Sequence, residues 1–471
     1  MDNFLWGSAT AAYQCEGGWN EGNRGETQWD DFSHNSPLNI NQVTGDVASD
    51  FYHRYEEDIR LMAEGGQNTF RFSIAWSRII PDGTGEVNQA GIDFYNNVIN
   101  TCLKYNISPN VTLFHYDLPK SIYDMGGWEN RETVDYFVKY AKVCFEAFGD
   151  RVPFWVTMNE TKYYSYCSYI VGNYPPNHHL DFDNFWKVGY HILLASAKAV
   201  KVFRETQSIG KIGMAIDTGN VETAQHDAAS KEAARKADLF YNKWVTDTVF
   251  KGYFPDDLFP LLEKTGINLS FVKEEDKDTF MQGTLDFFGL NIYSRSYIKP
   301  YTAGETEVFM NNLGSGSSVK EGIRIKDWFE TDYDPEVPRN KWGRELYPKC
   351  MYDELMDIKE HYGNIPVYIT ENGHGGYEEP DANGYVEDDE RIKIMDEFIQ
   401  YMLKAKQEGV NVKGYYVWST MDLYSWVNGY DKRYGLVRVD YNNQLQRIPK
   451  KSYYWYQKLI NSYTNRGERN G

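Results

Sequence analysis

Strand-like runs alternate with longer amphipathic stretches along nearly the whole chain, and this alternation limits the fold more than any other feature. Runs of β-branched and aromatic residues are typical of strands, and apolar residues spaced three and four positions apart are typical of helices. The strand-like runs cover residues 4–11, 68–76, 107–115, 152–159, 211–216, 286–293, 366–371 and 412–419. The helix-like stretches lie near residues 54–64, 89–105, 133–148, 184–206, 230–250, 345–361, 389–408 and 450–462. This α/β pattern predicts a (β/α)8 TIM barrel.

We expect one domain that spans residues 1–471. The sequence contains no Pro-, Gly- or Ser-rich linker long enough to divide it, and barrels of this kind reach more than about 400 residues when their loops carry insertions. Residues 294–344 lack clear periodicity and are rich in Gly, Ser, Asp and Lys. We interpret them as a loop insertion at the C-terminal face of the barrel, at the mouth of a cleft. The polar tail 465–471 is expected to fray.

Charge and composition exclude several classes of function. The formal net charge is −19, which argues against binding nucleic acid or an anionic membrane through a broad basic face. There is no run of 18 apolar residues and no basic segment followed by an apolar one at the N-terminus, so neither a transmembrane helix nor a signal peptide is expected. The five scattered cysteines fit a reducing cytosol better than a disulfide framework or a zinc site.

Polar residues that a packed core would not require recur where the strand-like runs end. In a barrel these strand ends open onto one face, and the active site lies at that face. The residues are Gln14, Glu16, His115, Asp117, Asn159, Glu160, Asn291, Tyr293, Glu371 and Trp418, together with Arg71, which lies within the second run. Any one of them could be a structural hydrogen-bonding residue, but together they predict a polar binding cleft.

Two carboxyl groups, Glu160 and Glu371, would face each other across this cleft. Glycoside cleavage uses such a pair: one carboxyl protonates the leaving oxygen, and the other attacks the anomeric carbon or activates a water. Arg71 could keep Glu371 ionised, and Tyr293 could donate a hydrogen bond to the same carboxylate. Asn159 could bind a sugar hydroxyl. From spacing and composition alone, two unrelated glutamates at the rim remain an equal alternative.

Seven runs of sequence resemble glycoside hydrolase family 1, in the same order and over nearly the whole length. They are FLWGSATAAYQ (4–14), FRFSIAWSR (70–78), VTLFHYDLP (111–119), WVTMNE (155–160), DFFGLNIY (286–293), YITENG (368–373) and GYYVWS (414–419). The resemblance implies a retaining mechanism in which Glu160 is the acid/base and Glu371 the nucleophile, with no cofactor or metal. The sugar-binding residues would be Gln14, His115, Asn159, Asn291, Trp342, Trp418 and Trp426.

The sequence departs from the family pattern at three positions near these runs. Residue 116 is Tyr where many members carry Trp, residue 161 is Thr where Pro is common, and residue 374 is His where a small or apolar residue is usual. Tyr116 keeps an aromatic wall, and none of the three changes removes a catalytic group. They leave open the shape of the cleft on the aglycone side.

The segment after the last strand indicates which sugar is bound. Members that act on plain glucosides usually carry Glu at position 425, where this chain has Ser425. A carboxylate there would repel a 6-phosphate, whereas Ser425, Lys432 and Tyr434 could bind it through charge-assisted hydrogen bonds. This resembles the 6-phospho-β-glycosidase branch of the family. A surface loop with an ordinary Lys and Tyr, in a β-glucosidase or β-galactosidase of unphosphorylated sugars, is the alternative.

Trp426 bears on the choice between galactose and glucose. An indole beside the 4-hydroxyl resembles the 6-phospho-β-galactosidases, so a 6-phospho-β-galactoside is slightly favoured over the 6-phospho-β-glucoside, and use of both is compatible with the sequence. The expected partner is therefore a phosphorylated β-disaccharide or aryl β-glycoside. Such substrates arise through a phosphotransferase uptake system, which implies a bacterial cytoplasm. The sequence does not indicate the oligomeric state.

Overall fold

Eight parallel strands close into a barrel at the centre of the protein. The computed structural model describes residues 4–39, 42–206, 208–311 and 314–468, with side chains up to residue 464. The barrel strands are β1 (Leu5–Ala9), β2 (Thr69–Ser73), β3 (Ser108–Phe114), β4 (Phe154–Asn159), β5 (Lys211–Asp217), β6 (Phe287–Asn291), β7 (Val367–Asn372) and β8 (Val412–Trp418). Each pairs in parallel with its neighbours in sequence, and β8 pairs with β1 to close the ring. The predicted (β/α)8 barrel is confirmed.

The helices that follow the strands form the outer layer. They are α1 (Phe51–Glu64), α2 (Gln89–Lys104), α3 (Glu132–Phe148), α4 (Phe182–Glu205), α5 (Trp244–Lys251), α6 (Cys350–Tyr362), α7 (Asp389–Gln407) and α8 (Lys451–Glu468). Helix α3 shows why they pack on the barrel: Val134, Phe137, Ala141 and Cys144, spaced three and four apart, are all buried. That spacing forms one apolar stripe along a helix.

Shorter helical segments occur in the loops and before α5. They are Ala12–Cys15, Gln28–Asn35, Trp76–Ile79, Lys120–Asp124, Thr161–Ser165, Ala228–Asp238, Leu258–Lys264 and Lys277–Gln282, with π-helical turns at Tyr166–Val171 and Leu239–Lys243 and 3-10 turns at Gly127–Glu129, Glu274–Asp276 and Trp426–Asn428. Within the described residues, no helix combines the length and the apolar character needed to span a bilayer. All five cysteines are buried and unpaired.

The insertion after β6 contains more regular structure than its sequence indicates. Four short strands within it, together with one after β5, form a five-stranded sheet in the order Val221–Thr223, Ser296–Lys299, Phe329–Thr331, Gly322–Ile325 and Glu307–Phe309. Strands of three or four residues are too short to give a periodic pattern. The expected position of the insertion is confirmed, because Ser296, Tyr297, Gly322 and Thr331 line the cleft. A second small sheet pairs Val437–Asp440 with Gln446–Pro449.

Candidate active site

A cleft of about 380 Å³ opens at the C-terminal ends of the barrel strands. Its walls come from the ends of several strands and from the inserted sheet, as expected for the active-site face of this fold. Its lining includes Gln14, His115, Asn159, Glu160, Asn291, Tyr293, Trp342, Glu371, Trp418, Ser425, Trp426, Lys432 and Tyr434. Thus every residue predicted to act in catalysis, sugar binding or phosphate binding lines one cleft except Arg71, which contacts Glu371.

Glu371 is held at the end of β7 by two donors, one from β2 across the barrel and one that follows the neighbouring strand β6. The guanidinium of Arg71 donates to its Oε1 at 2.7 Å, and the hydroxyl of Tyr293 donates to its Oε2 at 3.0 Å. The pairing of β7 with β6 is irregular here, since Ile369 opposes Leu290 and the next paired residue is Glu371. An extra residue of this kind redirects a side chain at a strand end, which places Glu371 in the cleft.

Glu160 follows β4 directly and adopts a left-handed backbone conformation, with φ of +46°. Such a conformation is uncommon for a residue with a side chain and marks a constrained position. Each carboxyl oxygen accepts a hydrogen bond: Oε2 from the hydroxyl of Tyr116 at 2.6 Å, and Oε1 from Nδ2 of Asn291 at 2.8 Å. Glu160 is 8% exposed, and these two bonds fix the orientation of its carboxyl group in the cleft.

The amide of Asn159 connects the surroundings of the two glutamates. Its Oδ1 accepts from Nη2 of Arg71 at 2.7 Å and from Nδ2 of Asn291 at 3.1 Å. Arg71 also binds Glu371, and Asn291 also binds Glu160. The carboxyl groups are therefore joined through three buried polar side chains, all contributed by barrel strands.

Burial dominates the titration of the carboxyl groups in the cleft. It raises the pKa of Glu371 to about 7; the charge of Glu160 adds to the rise, while Arg71 and Tyr293 oppose it. Burial likewise raises the pKa of Asp217 to about 7, against the effect of its ion-pair partner Lys162. The guanidinium of Arg71 nevertheless favours the negative charge on Glu371.

Among the predicted sugar-binding residues, Gln14 and His115 carry unpaired polar atoms, and His115 stacks on an aromatic ring. Nε2 of Gln14 donates to the carbonyl of Tyr424 at 2.8 Å, while its Oε1 is buried without a partner. His115 stacks on Trp418 with ring centroids 5.7 Å apart, and its buried Nδ1 also has no partner. Burial and the charge of Arg71 hold the pKa of His115 well below its usual value, so the ring is neutral. Unsatisfied polar atoms beside stacked rings suit a hydroxylated ring-shaped ligand.

Ser425, Lys432 and Tyr434 line the same cleft as the two glutamates. Ser425 closes a tight turn in which its backbone N–H donates to the carbonyl of Gly429 at 2.7 Å. The Nζ of Lys432 lies 3.9 Å from the ring centroid of Trp342 and 5.4 Å from that of Tyr434. The structure therefore brings a hydroxyl, an ammonium and a phenol from the loop after β8 into the cleft.

Buried charges anchor the segment 432–435. Arg391, from α7, donates to the carbonyl oxygens of Arg433 and Gly435 at 2.9 Å each, and Asp422 accepts from the backbone N–H of Gly435 at 3.0 Å. Sequence reasoning missed these contacts because Arg391 belongs to a charged helix with no motif around it. Asp422 lies in the stretch analysed for sugar preference, but no sequence feature reveals that it is fully buried.

Some residues highlighted in the sequence lie elsewhere. Glu16 is outside the cleft, where it pairs with Arg78 at 2.7 Å, and Asp117 is buried away from the lining. Their placement at strand ends gave no means of distinguishing them from residues that face the cleft. Of the three departures from the family pattern, Tyr116 faces the cleft, whereas Thr161 and His374 are not part of its lining.

Comparisons with known proteins agree with this geometry. The model of Glycosyl hydrolase family 1 matches residues 1–465. A 6-phospho-beta-galactosidase of Clostridium acetobutylicum is 40% identical over 466 residues, covering 97% of this chain and 96% of that protein. Beta-glucosidase A of Acetivibrio thermocellus is 40% identical over 459 residues, covering 97% of each. The solved family 1 β-glucosidase of Thermotoga maritima superposes with a TM-score of 0.85 at 37% identity, covering 98% of this chain and 97% of that one. The chain belongs to glycosyl hydrolase family 1 and is a glycoside hydrolase.

Proposed function

We propose that the protein is a retaining 6-phospho-β-glycosidase. It hydrolyses β-linked 6-phosphoglycosides, such as a phosphorylated disaccharide or an aryl glycoside, by double displacement through a covalent glycosyl-enzyme. The sugar-6-phosphate lies between the catalytic carboxyl groups and the loop after β8, and the aglycone lies toward the inserted sheet. We further propose that the reaction takes place in a bacterial cytoplasm.

Glu371 acts as the nucleophile, and Glu160 acts first as acid and then as base. In the first step Glu371 attacks the anomeric carbon while Glu160 gives its proton to the leaving oxygen. In the second step Glu160 takes a proton from water, and the resulting hydroxide displaces Glu371 from the sugar. The bond from Arg71 to Glu371 supports these roles, because a guanidinium stabilises the ionised nucleophile. We expect the two carboxyl groups to be about 5 Å apart, as in retaining enzymes.

The observation that carries the phosphate assignment is the composition of the cleft around Lys432. Its ammonium faces aromatic rings, Trp342 and Tyr434, and within the described residues it forms no ion pair. Ser425 supplies a hydroxyl where a carboxylate would repel an anion. An ammonium and two hydroxyls in one cleft suit the three oxygens of a phosphate monoester.

Similarity over the whole chain does not separate the phosphorylated from the unphosphorylated substrate class. Relatives named 6-phospho-beta-galactosidase and Beta-glucosidase A are both 40% identical to this chain, and the 6-phospho-beta-glucosidase GmuD of Bacillus subtilis is 38% identical. The proposal therefore depends on local residues. Among sugars, we propose the galactoside as the better substrate, because Trp426 packs against His115 and Tyr116 at the cleft wall.

A paired substrate panel tests this function. The substrates are 2-nitrophenyl 6-phospho-β-galactoside, its gluco analogue and the two unphosphorylated parents, each assayed for kcat/KM. We expect both phosphorylated substrates to be cleaved at least about 100-fold faster than their parents, since charge-assisted hydrogen bonds are worth about 1.5–3 kcal/mol each. Equal rates on phosphorylated and plain substrates would show that the protein is a β-glucosidase or β-galactosidase instead.

A further inference from the structure

Tyr116 places a hydroxyl against Glu160 at a position where many family members carry Trp. The residue follows β3, is 2% exposed, and adopts a left-handed backbone conformation with φ of +77°. Its carbonyl accepts from Nε2 of Gln28 at 2.9 Å and from Nε1 of Trp29 at 3.2 Å. Its ring stacks on that of Tyr164 with centroids 5.5 Å apart. Both ends of the residue are thus fixed, and its hydroxyl lies 2.6 Å from Oε2 of Glu160.

The polarity of the hydrogen bonds follows from Arg71, which can only donate. Because Nη2 of Arg71 donates to Oδ1 of Asn159 at 2.7 Å, the Nδ2 of Asn159 must be the donating end of that amide. This Nδ2 donates to the hydroxyl oxygen of Tyr116 at 3.2 Å. The hydroxyl hydrogen of Tyr116 is therefore directed at Glu160. A chain of hydrogen bonds, in which each group donates to the next, therefore runs from Arg71 through Asn159 and Tyr116 to the carboxyl group of Glu160.

We infer that Tyr116 is a positioning residue that donates a hydrogen bond to the ionised form of Glu160 and so sets the pH range of acid catalysis. When Glu160 passes its proton to the leaving oxygen, the hydroxyl of Tyr116 stabilises the carboxylate that forms. The proton and the leaving group depart together, and the Tyr116 hydroxyl keeps its own hydrogen. This inference rests on the proposed role of Glu160 as acid/base.

Tyr116 can perform this role because it remains protonated. Burial and the charge of Glu160 raise its pKa well above the usual value. Other titratable and charged groups line the same cleft as Glu160 and contribute to its electrostatic surroundings, and Arg71 is connected to it through Asn159 and Asn291. The groups in the lining are His115, Lys162, Tyr163, Cys167, Tyr174, Asp217, Tyr293 and Glu371. Of these and all other described tyrosines, Tyr116 alone has a hydroxyl hydrogen-bonded to Glu160.

The test compares Tyr116→Phe with Tyr164→Phe. The first change removes only the hydroxyl that reaches Glu160. The second removes the hydroxyl of Tyr164, whose ring stacks on that of Tyr116 and whose hydroxyl accepts a hydrogen bond from Nε2 of Gln28 at 3.3 Å. The pH profile of kcat/KM is measured with two 6-phosphoglycosides. The phenyl compound has a poor leaving group that requires protonation, whereas the leaving group of the 2,4-dinitrophenyl compound does not. Thermal melts establish that both variants are folded.

We expect Tyr116→Phe to move the alkaline limb of the phenyl profile upward by about one to two pH units, because its Glu160 loses a donor to the ionised form. The dinitrophenyl profile and both profiles of Tyr164→Phe should match the wild type. Superimposable phenyl profiles for Tyr116→Phe and the wild type, or an equal shift in Tyr164→Phe, would overturn the inference.

Failure of the proposed function gives a different result. If the phosphate preference is absent, the same profiles are measured on unphosphorylated glycosides, and the expected shift is unchanged. If Glu160 is not the acid, Glu160→Gln retains activity on the phenyl substrate. In that case, the titration of Glu160 is measured directly by NMR of δ-¹³C-labelled glutamate, with Glu160→Gln identifying the signal. An upward shift of that titration in Tyr116→Phe supports the hydrogen bond, and an unchanged titration refutes it.

Discussion

Replacing Lys432 by Met should remove phosphate recognition while leaving the chemistry of the cleft intact. The change deletes an ammonium that lies 3.9 Å from the ring centroid of Trp342, and it keeps an unbranched side chain in contact with that ring. A hydrogen bond to a charged group contributes about 1.5–3 kcal/mol. We therefore expect kcat/KM for 2-nitrophenyl 6-phospho-β-galactoside to fall by about 10- to 150-fold, and the rate on the unphosphorylated galactoside to change by less than about threefold.

Lys341 provides the matched control. It is exposed, does not line the cleft, and packs over Tyr377 with Nζ 5.2 Å from the ring centroid. Lys341→Met makes the same change in net charge and should retain wild-type kinetics on both substrates. The reasoning is refuted if Lys432→Met lowers the rates on phosphorylated and plain substrates by the same factor, because Lys432 would then act on the cleft as a whole and not on the phosphate.

Four further outcomes are expected. Ser425→Glu introduces a like charge beside the 6-phosphate, so kcat/KM for phosphorylated substrates should fall at least about 100-fold, and rates on plain glucosides should rise; no change in their ratio would contradict this. Glu371→Gln should lower kcat by roughly 10⁴-fold or more without unfolding the chain. Burial raises the pKa of Glu371 from 4.5 to about 7. As pH rises, the unfolded chain therefore loses this proton at a lower pH than the folded protein does. The free energy of unfolding of the wild type, relative to that of Glu371→Gln, should therefore fall by up to about 3 kcal/mol as pH rises from about 5 to 8. Melting temperatures of the two proteins that change with pH by the same amount would contradict this. Finally, proton NMR of early product should show the β-anomer, whereas the α-anomer would indicate inversion.

The barrel could be predicted from the sequence because its strands and helices have strong, repeated patterns. Strand β2, with sequence TFRFS, and strand β7, with sequence VYITEN, are buried throughout, and such strands are short and rich in β-branched and aromatic residues. The strand-end rule then placed Glu160, Asn291 and Glu371 at one face. The inserted sheet was not predicted, since its strands of three or four residues are set by pairing partners far away in sequence.

Which polar groups bond to each other could be predicted only in part. The pairing of Arg71 with Glu371 and the donation from Tyr293 are predicted from the sequence and are found at 2.7 and 3.0 Å. The bond from Tyr116 to Glu160 could not be predicted, because the direction of an aromatic side chain beside a strand end depends on the backbone conformation. At φ of +77°, Tyr116 departs from the extended geometry that the sequence pattern implies.

The residues proposed for catalysis and those proposed for phosphate binding lie in different parts of the molecule. The carboxyl groups are joined by a hydrogen-bonded set from barrel strands, Arg71, Asn159 and Asn291, and each also accepts a hydrogen bond from a tyrosine just beyond a strand. The residues proposed to bind phosphate lie on the loop after β8, whose segment 432–435 is anchored by Arg391 from the helical layer. We therefore expect a substitution such as Ser425→Glu to change the preference for the phosphorylated substrate without moving either carboxyl group.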